Sequence, residues 1–120
     1  MVAIVIGGAI GAAVRAGLGD LVPRGEWPWA TLTANVLGTV LLAVLAALIA
    51  WRPHLPHWLH PLVAVGLCGS LTTFAGLELE GFLMMRDGRS GPAVFYLGVS
   101  IVLGLLAAVA GRRAVDLVQQ

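Results

Sequence analysis

The sequence predicts an all-α membrane protein of four transmembrane helices, and three observations carry this. Of 120 residues, 59% are hydrophobic and only 11% charged, where a soluble domain would carry roughly a quarter charged residues; mean hydropathy is +0.96. The apolar residues fall into four stretches, each long enough at about 1.5 Å per helical residue to cross a hydrocarbon core about 30 Å thick. Trp27, Trp29 and Trp51 flank the second stretch, as amphipathic rings do at the two water interfaces. Residues 1–120 read as a single four-helix domain.

Charge and cysteine content narrow the classes further. Net charge is +1, and all seven basic residues are arginine. They are scattered as Arg15, Arg24, Arg52, Arg86, Arg89, Arg112 and Arg113, so no basic patch points to nucleic acid. Cys68 stands alone, which excludes an internal disulfide and a multi-cysteine metal site. The opening Met1-Val2-Ala3-Ile4 lacks the charged start of a signal peptide, so the first stretch is expected to be a retained helix.

The first helix is expected over about residues 2–22. Gly7, Gly11 and Arg15 fall four apart on one face, with Gly8 and Ala12 beside them. Small residues at this spacing let helix backbones approach closely. The face is either a packing seam ending in an interfacial arginine, or it sets Arg15 at an anion entrance, since an arginine inside a span faces protein or water. A short polar loop with Pro23 and Gly25 leads to the second helix, about 28–50. Asn35 is its one strongly polar side chain, sharing a face with Thr31 and Thr39 beside Gly38. Asn35 either bonds a neighbouring helix, at about 1 kcal/mol, or faces a polar path.

In the next loop His54, His57 and His60 recur at three-residue spacing. Pro53 and Pro56 break any helix that would align them on a metal, and no carboxylate is near to orient the rings. They read as interfacial histidines beside Trp58.

The third helix, about 61–85, is the anomaly of the chain. From Gly66 to Glu80 it carries Gly66, Gly69 and Gly76, the adjacent Thr72 and Thr73, and the acids Glu78 and Glu80. Unpaired backbone groups in hydrocarbon cost roughly several kcal/mol each, so a helix breaks there only where protein or water meets the freed groups. The break is expected near residues 69–76. The fourth helix is expected over about 92–111, with Tyr96, Ser100 and Gly104 four apart and Arg112 and Arg113 closing the span. The hydroxyl strip either passes a dehydrated anion between donors or packs against Asn35.

Four spans place both termini on one side with Arg52, Arg112 and Arg113. Arg24, Arg86 and Arg89 lie opposite, joined by Arg15 if it reaches that surface. Arginine asymmetry between loops sets orientation, and here it is nearly nil. The expectation is dual topology, with copies inserted both ways and paired antiparallel. Four short helices are also too few to enclose a hydrated path, which a dimer remedies.

The runs Gly7-Gly8-Ala9-Ile10-Gly11-Ala12-Ala13-Val14-Arg15, Thr31-Leu32-Thr33-Ala34-Asn35-Val36-Leu37-Gly38 and Gly66-Leu67-Cys68-Gly69-Ser70-Leu71-Thr72-Thr73-Phe74 together resemble the bacterial fluoride channel family (Fluc, also called CrcB). The resemblance covers the whole chain, and the third run is its most specific part. It implies an antiparallel dimer with two pores in the bacterial plasma or inner membrane; some members pair two different chains, but the near-even arginine count favours a homodimer here. The implied activity is passive, fluoride-selective export that protects the cell from fluoride. It also implies a structural sodium ion at the dimer centre, held by the backbone carbonyls of Gly69 and Thr72 from both subunits. On the same resemblance Asn35 would donate amide N–H groups to fluoride and Phe74 would offer its positive ring edge. Tyr96 and Ser100 would continue the pathway, with Thr39 and Arg15 also on it. Glu80 falls where the family has an acid after the break.

Two departures bear on this. The family usually has a second phenylalanine three residues after the first, in a Thr-Thr-Phe-Ser-Thr-Phe run; here Leu77 stands there, without a polarised ring edge. Gly104 stands where some members extend the hydroxyl track. The alternative is a proton-coupled exporter of the small multidrug resistance type. That needs a membrane-embedded acid, and the candidates are only Glu78 and Glu80 near the end of the third span. A scaffold subunit would explain Gly7, Gly11 and Gly38 but not a Gly-Ser-Leu-Thr-Thr break beside two acids. No cysteine–histidine or serine–histidine pairing suggests an enzyme.

Overall fold

The computed structural model describes residues 1–22, 25–52 and 54–118. Pro23, Arg24 and Pro53, used above for the polar loop, the charge balance and the histidine loop, lie outside the described residues. The described elements are α1 (Val2–Leu21), α2 (Trp29–Trp51), a π-helical segment (Pro61–Cys68), the single turn α3 (Gly69–Leu71), α4 (Phe74–Arg86) and α5 (Ser90–Val118). The helices Val2–Leu21, Trp29–Trp51, Pro61–Arg86 and Ser90–Val118 are each long and apolar enough to cross a membrane. This is an all-helical, multi-pass membrane protein.

Prolines set most of the ends. Val22 (φ −84°, ψ 123°) and Arg52 (φ −128°, ψ 80°) both leave the helical region, and each precedes a proline, whose ring disfavours the α conformation in the residue before it. Pro61 opens the π-helical segment, where its missing N–H costs nothing. The α4–α5 turn closes through Gly88 at φ 79°. The Gly88 N–H donates to the Met85 carbonyl at 3.1 Å and the Arg89 N–H to the Met84 carbonyl at 2.8 Å, a pair of bonds that takes up the last carbonyls of a helix.

The spans pair first with third and second with fourth: α1 lies along the π-helical segment and α3, and α2 lies along α5. In the first pair the backbones touch. A Cβ on Gly7 would overlap the Leu62 carbonyl, one on Gly11 would overlap that of Leu67, and one on Gly66 would sit 2.6 Å from the Ile4 carbonyl oxygen. Between α2, α4 and α5 lies a buried cluster of Leu32, Leu77, Met84, Ala93 and Tyr96, with Trp27, Val36 and Leu97 packed against it. Apolar residues such as Leu37 on α2 and Val94, Phe95 and Leu105 on α5 are exposed, as suits helices solvated by lipid.

α5 runs on to Val118, past the apolar stretch that ends near Gly111. Its polar tail is fastened to the end of α2: the Trp51 indole N–H donates to Asp116 at 3.1 Å, and Arg112 faces Asp116 one turn on at 3.8 Å.

Candidate functional site

Between α3 and α4 two residues are extended, Thr72 at φ −83°, ψ 152° and Thr73 at φ −150°, ψ 117°. Extended peptides inside a span would leave polar groups bare. Asn35 meets both groups of Thr73. The Thr73 N–H donates to Asn35 Oδ1 at 2.7 Å, and Asn35 Nδ2 donates to the Thr73 carbonyl at 3.2 Å. The Thr73 hydroxyl accepts the Gly76 N–H at 3.0 Å and so caps α4. Thr72 turns back, its N–H and its hydroxyl both donating to the Cys68 carbonyl at 3.0 and 2.8 Å.

The clamp has a second effect. In a continuous helix the Thr73 N–H would bond the carbonyl four residues back, that of Gly69. Asn35 takes that N–H instead. Among the described residues no backbone N–H outside regular helix bonding reaches the Gly69 or Thr72 carbonyl. Both residues line a cavity of about 330 Å³ with Asn35, Thr39, Phe74 and Leu77. Gly38 makes the closeness possible, since a Cβ there would run into the Thr72 methyl group. Phe74 is 71% exposed and Gly69 is exposed, so the cavity opens on the outer face of the subunit.

A second cavity of about 370 Å³ is lined by Arg15, Trp27, Trp29, Thr31 and Glu80, among others. Glu80 holds two donors: the Thr31 hydroxyl at 2.7 Å on one oxygen and the Tyr96 hydroxyl at 2.6 Å on the other. Tyr96 is fully buried and Ser100 nearly so, and the Ser100 hydroxyl donates to the Tyr96 carbonyl at 2.8 Å. Neither lines either cavity. Thr39 donates likewise to the Asn35 carbonyl at 2.7 Å. The hydroxyl protons of Thr39, Thr72 and Ser100 thus point into their own helices, as such residues do when back-bonding one turn.

The structure therefore brings Asn35, Thr39, Gly69, Thr72, Phe74 and Leu77 to one cavity, and Arg15 and Glu80 to another. Leu77 lines the first cavity and is also packed in the core cluster with Tyr96. Two features escape sequence reasoning. One is the Thr31–Glu80–Tyr96 triad, whose only sequence signal is that each member is polar in an apolar span. The other is Trp27, which packs edge-on against Tyr96 with ring centroids 5.6 Å apart. Its indole N–H is buried and has no partner among the described residues. No three His, Cys, Asp or Glu side chains converge as a metal site would need, among the described residues.

A family model described as CrcB-like protein, Camphor Resistance (CrcB), matches residues 2–112. The chain belongs to the CrcB-like family. Three CrcB-like relatives span nearly all of it. "Fluoride-specific ion channel FluC 1" of Mycobacterium bovis is 42% identical over 109 residues, covering 89% of this chain and 83% of that one. "Fluoride-specific ion channel FluC 2" of Geobacillus kaustophilus is 43% identical over 115 residues, or 93% and 89%. "Fluoride-specific ion channel FluC" of Bordetella pertussis is 38% identical over 116 residues, or 97% and 91%. With its four apolar helices, this CrcB-like chain is a multi-pass protein of a bacterial membrane.

Proposed function

We infer that the chain is the subunit of a passive, fluoride-selective channel that exports fluoride and protects the cell from it. One observation carries the reading: the Asn35–Thr73 clamp opens on a cavity walled by Phe74, in a chain whose relatives are named fluoride-specific ion channels.

Fluoride is small and strongly hydrated, so a pathway must replace its water with N–H, O–H and ring-edge donors. Asn35 Nδ2 carries two protons. One serves the Thr73 carbonyl through a long bond of 3.2 Å, and the other is available to the cavity. The exposed Phe74 ring offers a positive edge to the same space. Leu77 offers only methyl groups, so an anion there meets one ring edge per subunit. Thr39 joins the path by rotating its hydroxyl proton away from the helix carbonyl, whereas Ser100, buried beside Tyr96, joins it only if a permeating ion passes on from the cavity toward α5. Arg15 draws anions into the second cavity, where the two hydrogen bonds to Glu80 offset part of its repulsion.

The first cavity bares the Gly69 and Thr72 carbonyls on a face that would otherwise meet lipid, an arrangement hydrocarbon does not tolerate. A second copy, inserted antiparallel, covers it. The Gly69 and Thr72 carbonyls of both copies then suit a sodium ion, a hard cation that takes oxygen donors from unwound helix. Bound there, sodium supplies positive charge that holds the opposed carbonyl dipoles together. A proton-coupled exporter would need a carboxylate open to exchange. Glu80 is already held by Thr31 and Tyr96, Glu78 is exposed and lines neither of these two cavities, and the relatives named above bear channel names.

The test is efflux from liposomes holding the purified protein, read with a fluoride electrode. Fluoride release well above that of empty vesicles, without matching chloride release, is expected. No excess release, or equal chloride release, would sink the reading. Asn35→Asp, which sets a carboxylate against the path, is expected to bring fluoride release down to the empty-vesicle level. Undiminished release removes Asn35 from the mechanism.

A further inference from the structure

The two ends of the subunit hold similar numbers of arginines, but those arginines are not paired alike. At the end carrying the α4–α5 turn, Arg86 meets Asp87 at 3.1 Å, and Arg89 reaches the Glu26 carboxylate at 3.6 Å and its carbonyl at 2.9 Å. At the opposite end the ion pair formed is Arg112 with Asp116, at 3.8 Å. Among the described residues no carboxylate pairs with Arg52 or Arg113. His54, His57 and His60 lie at this end too, all exposed.

These groups are not merely scattered over a surface. Arg52, His57 and His60 line one recess of about 140 Å³, whose remaining wall includes Ile49, Leu55 and Leu59. Two tight turns shape it, with the Leu55 N–H on the Arg52 carbonyl at 3.2 Å and the Leu59 N–H on the Pro56 carbonyl at 3.0 Å. Trp51 and Trp58, about half exposed, flank it, which sets it at the depth where indole rings meet headgroups. A lip of N–H donors above an aliphatic wall, at that depth, fits a phosphate joined to fatty chains.

We propose that this recess is a headgroup site for an anionic phospholipid. The phosphate sits against the Arg52 guanidinium and the imidazoles of His57 and His60, and the first acyl methylenes lie on Ile49, Leu55 and Leu59. The site serves the membrane rather than the permeating ion, and the inference does not rest on the channel reading. The shared chemistry is a phosphate group, which could also come from water as the free ion.

The experiment distinguishes the two sources. The full-length protein in neutral detergent is titrated with short-chain phosphatidylglycerol, with phosphatidylcholine of the same chain length, and with inorganic phosphate, bound molecules being counted by native mass spectrometry. Phosphatidylglycerol is expected to bind in clear preference to phosphatidylcholine and to be little displaced by inorganic phosphate. Arg52→Gln is expected to weaken phosphatidylglycerol binding about fivefold, the effect of one basic residue near a charged headgroup layer. Arg52→Lys should keep most of the binding, and Arg86→Gln, at the other end, all of it. Equal binding of the two lipids, or wild-type binding by Arg52→Gln, overturns the proposal. Ready displacement by inorganic phosphate overturns its lipid assignment. Helix content measured by circular dichroism on each variant separates a lost site from a lost fold.

Discussion

Asn35 pairs its side-chain amide with a peptide rather than with another side chain. That choice explains why one polar residue can stand in the middle of an otherwise apolar helix: it satisfies the two groups that an extended Thr73 would leave bare. Glu80 is handled in the same manner, by Thr31 and Tyr96 from two different helices. Hydrogen bonds to charged groups contribute about 1.5–3 kcal/mol, so Tyr96→Phe is expected to lower the thermal midpoint of the purified protein while leaving helix content intact. A midpoint equal to wild type would mean that Glu80 draws nothing from the Tyr96 hydroxyl at 2.6 Å. Asn35 and Glu80 were legible in the sequence because strongly polar residues are conspicuous in apolar spans. Their partners were not, since Thr73 and Thr31 come within reach only once the helices are packed. Tyr96 and Ser100 show the same limit. Their spacing of four fixes a common face, but spacing alone cannot say that this face turns inward against Glu80 and the helix carbonyl.

At the scale of elements, the seam between α1 and the π-helical segment brings two backbones into direct contact. Gly66→Ala would place a methyl 2.6 Å from the Ile4 carbonyl oxygen and 2.9 Å from the Gly8 nitrogen, backbone atoms that cannot swing aside. A loss of about 1–3 kcal/mol, the usual cost of overpacking, is the least expected. Gly17→Ala meets nothing within 4 Å and is expected to be neutral or stabilising by up to about 1 kcal/mol. Melting both variants in one detergent checks the pair, and equal midpoints would refute the seam. The Gly7–Gly11 spacing and the proline-set ends at Val22 and Arg52 could be read from the sequence, because they follow from local sterics. The π-helical turns could not, since periodicity reading presumes an α-helix. Nor could the tail of α5, whose helicity leans on a Trp51–Asp116 bond between residues distant in the chain.

For the whole molecule, the near-even arginine distribution predicts that a reporter fused to the C-terminus is found on both faces of the membrane. Replacing Arg112 and Arg113 with glutamine should move the C-terminal reporter toward the non-cytoplasmic face, because basic residues hold a loop inside. Paired reporters, one active only inside and one only outside, measure the split; activity of one alone in the wild type would overturn dual insertion. The same whole-molecule view bears on how the protein is made. Because α1 lies chiefly along the third span and α2 along α5, neither early helix emerges from the ribosome to find its main neighbour waiting. The glycine face of α1 stays open in the bilayer until Pro61 and the residues after it arrive, and α2 waits for the last helix of all. The two seams thus close in the order of synthesis, the third helix completing the first and the fourth completing the second, while the cavity beside Asn35, lined by α2 and the third span alone, is in place before the last helix arrives.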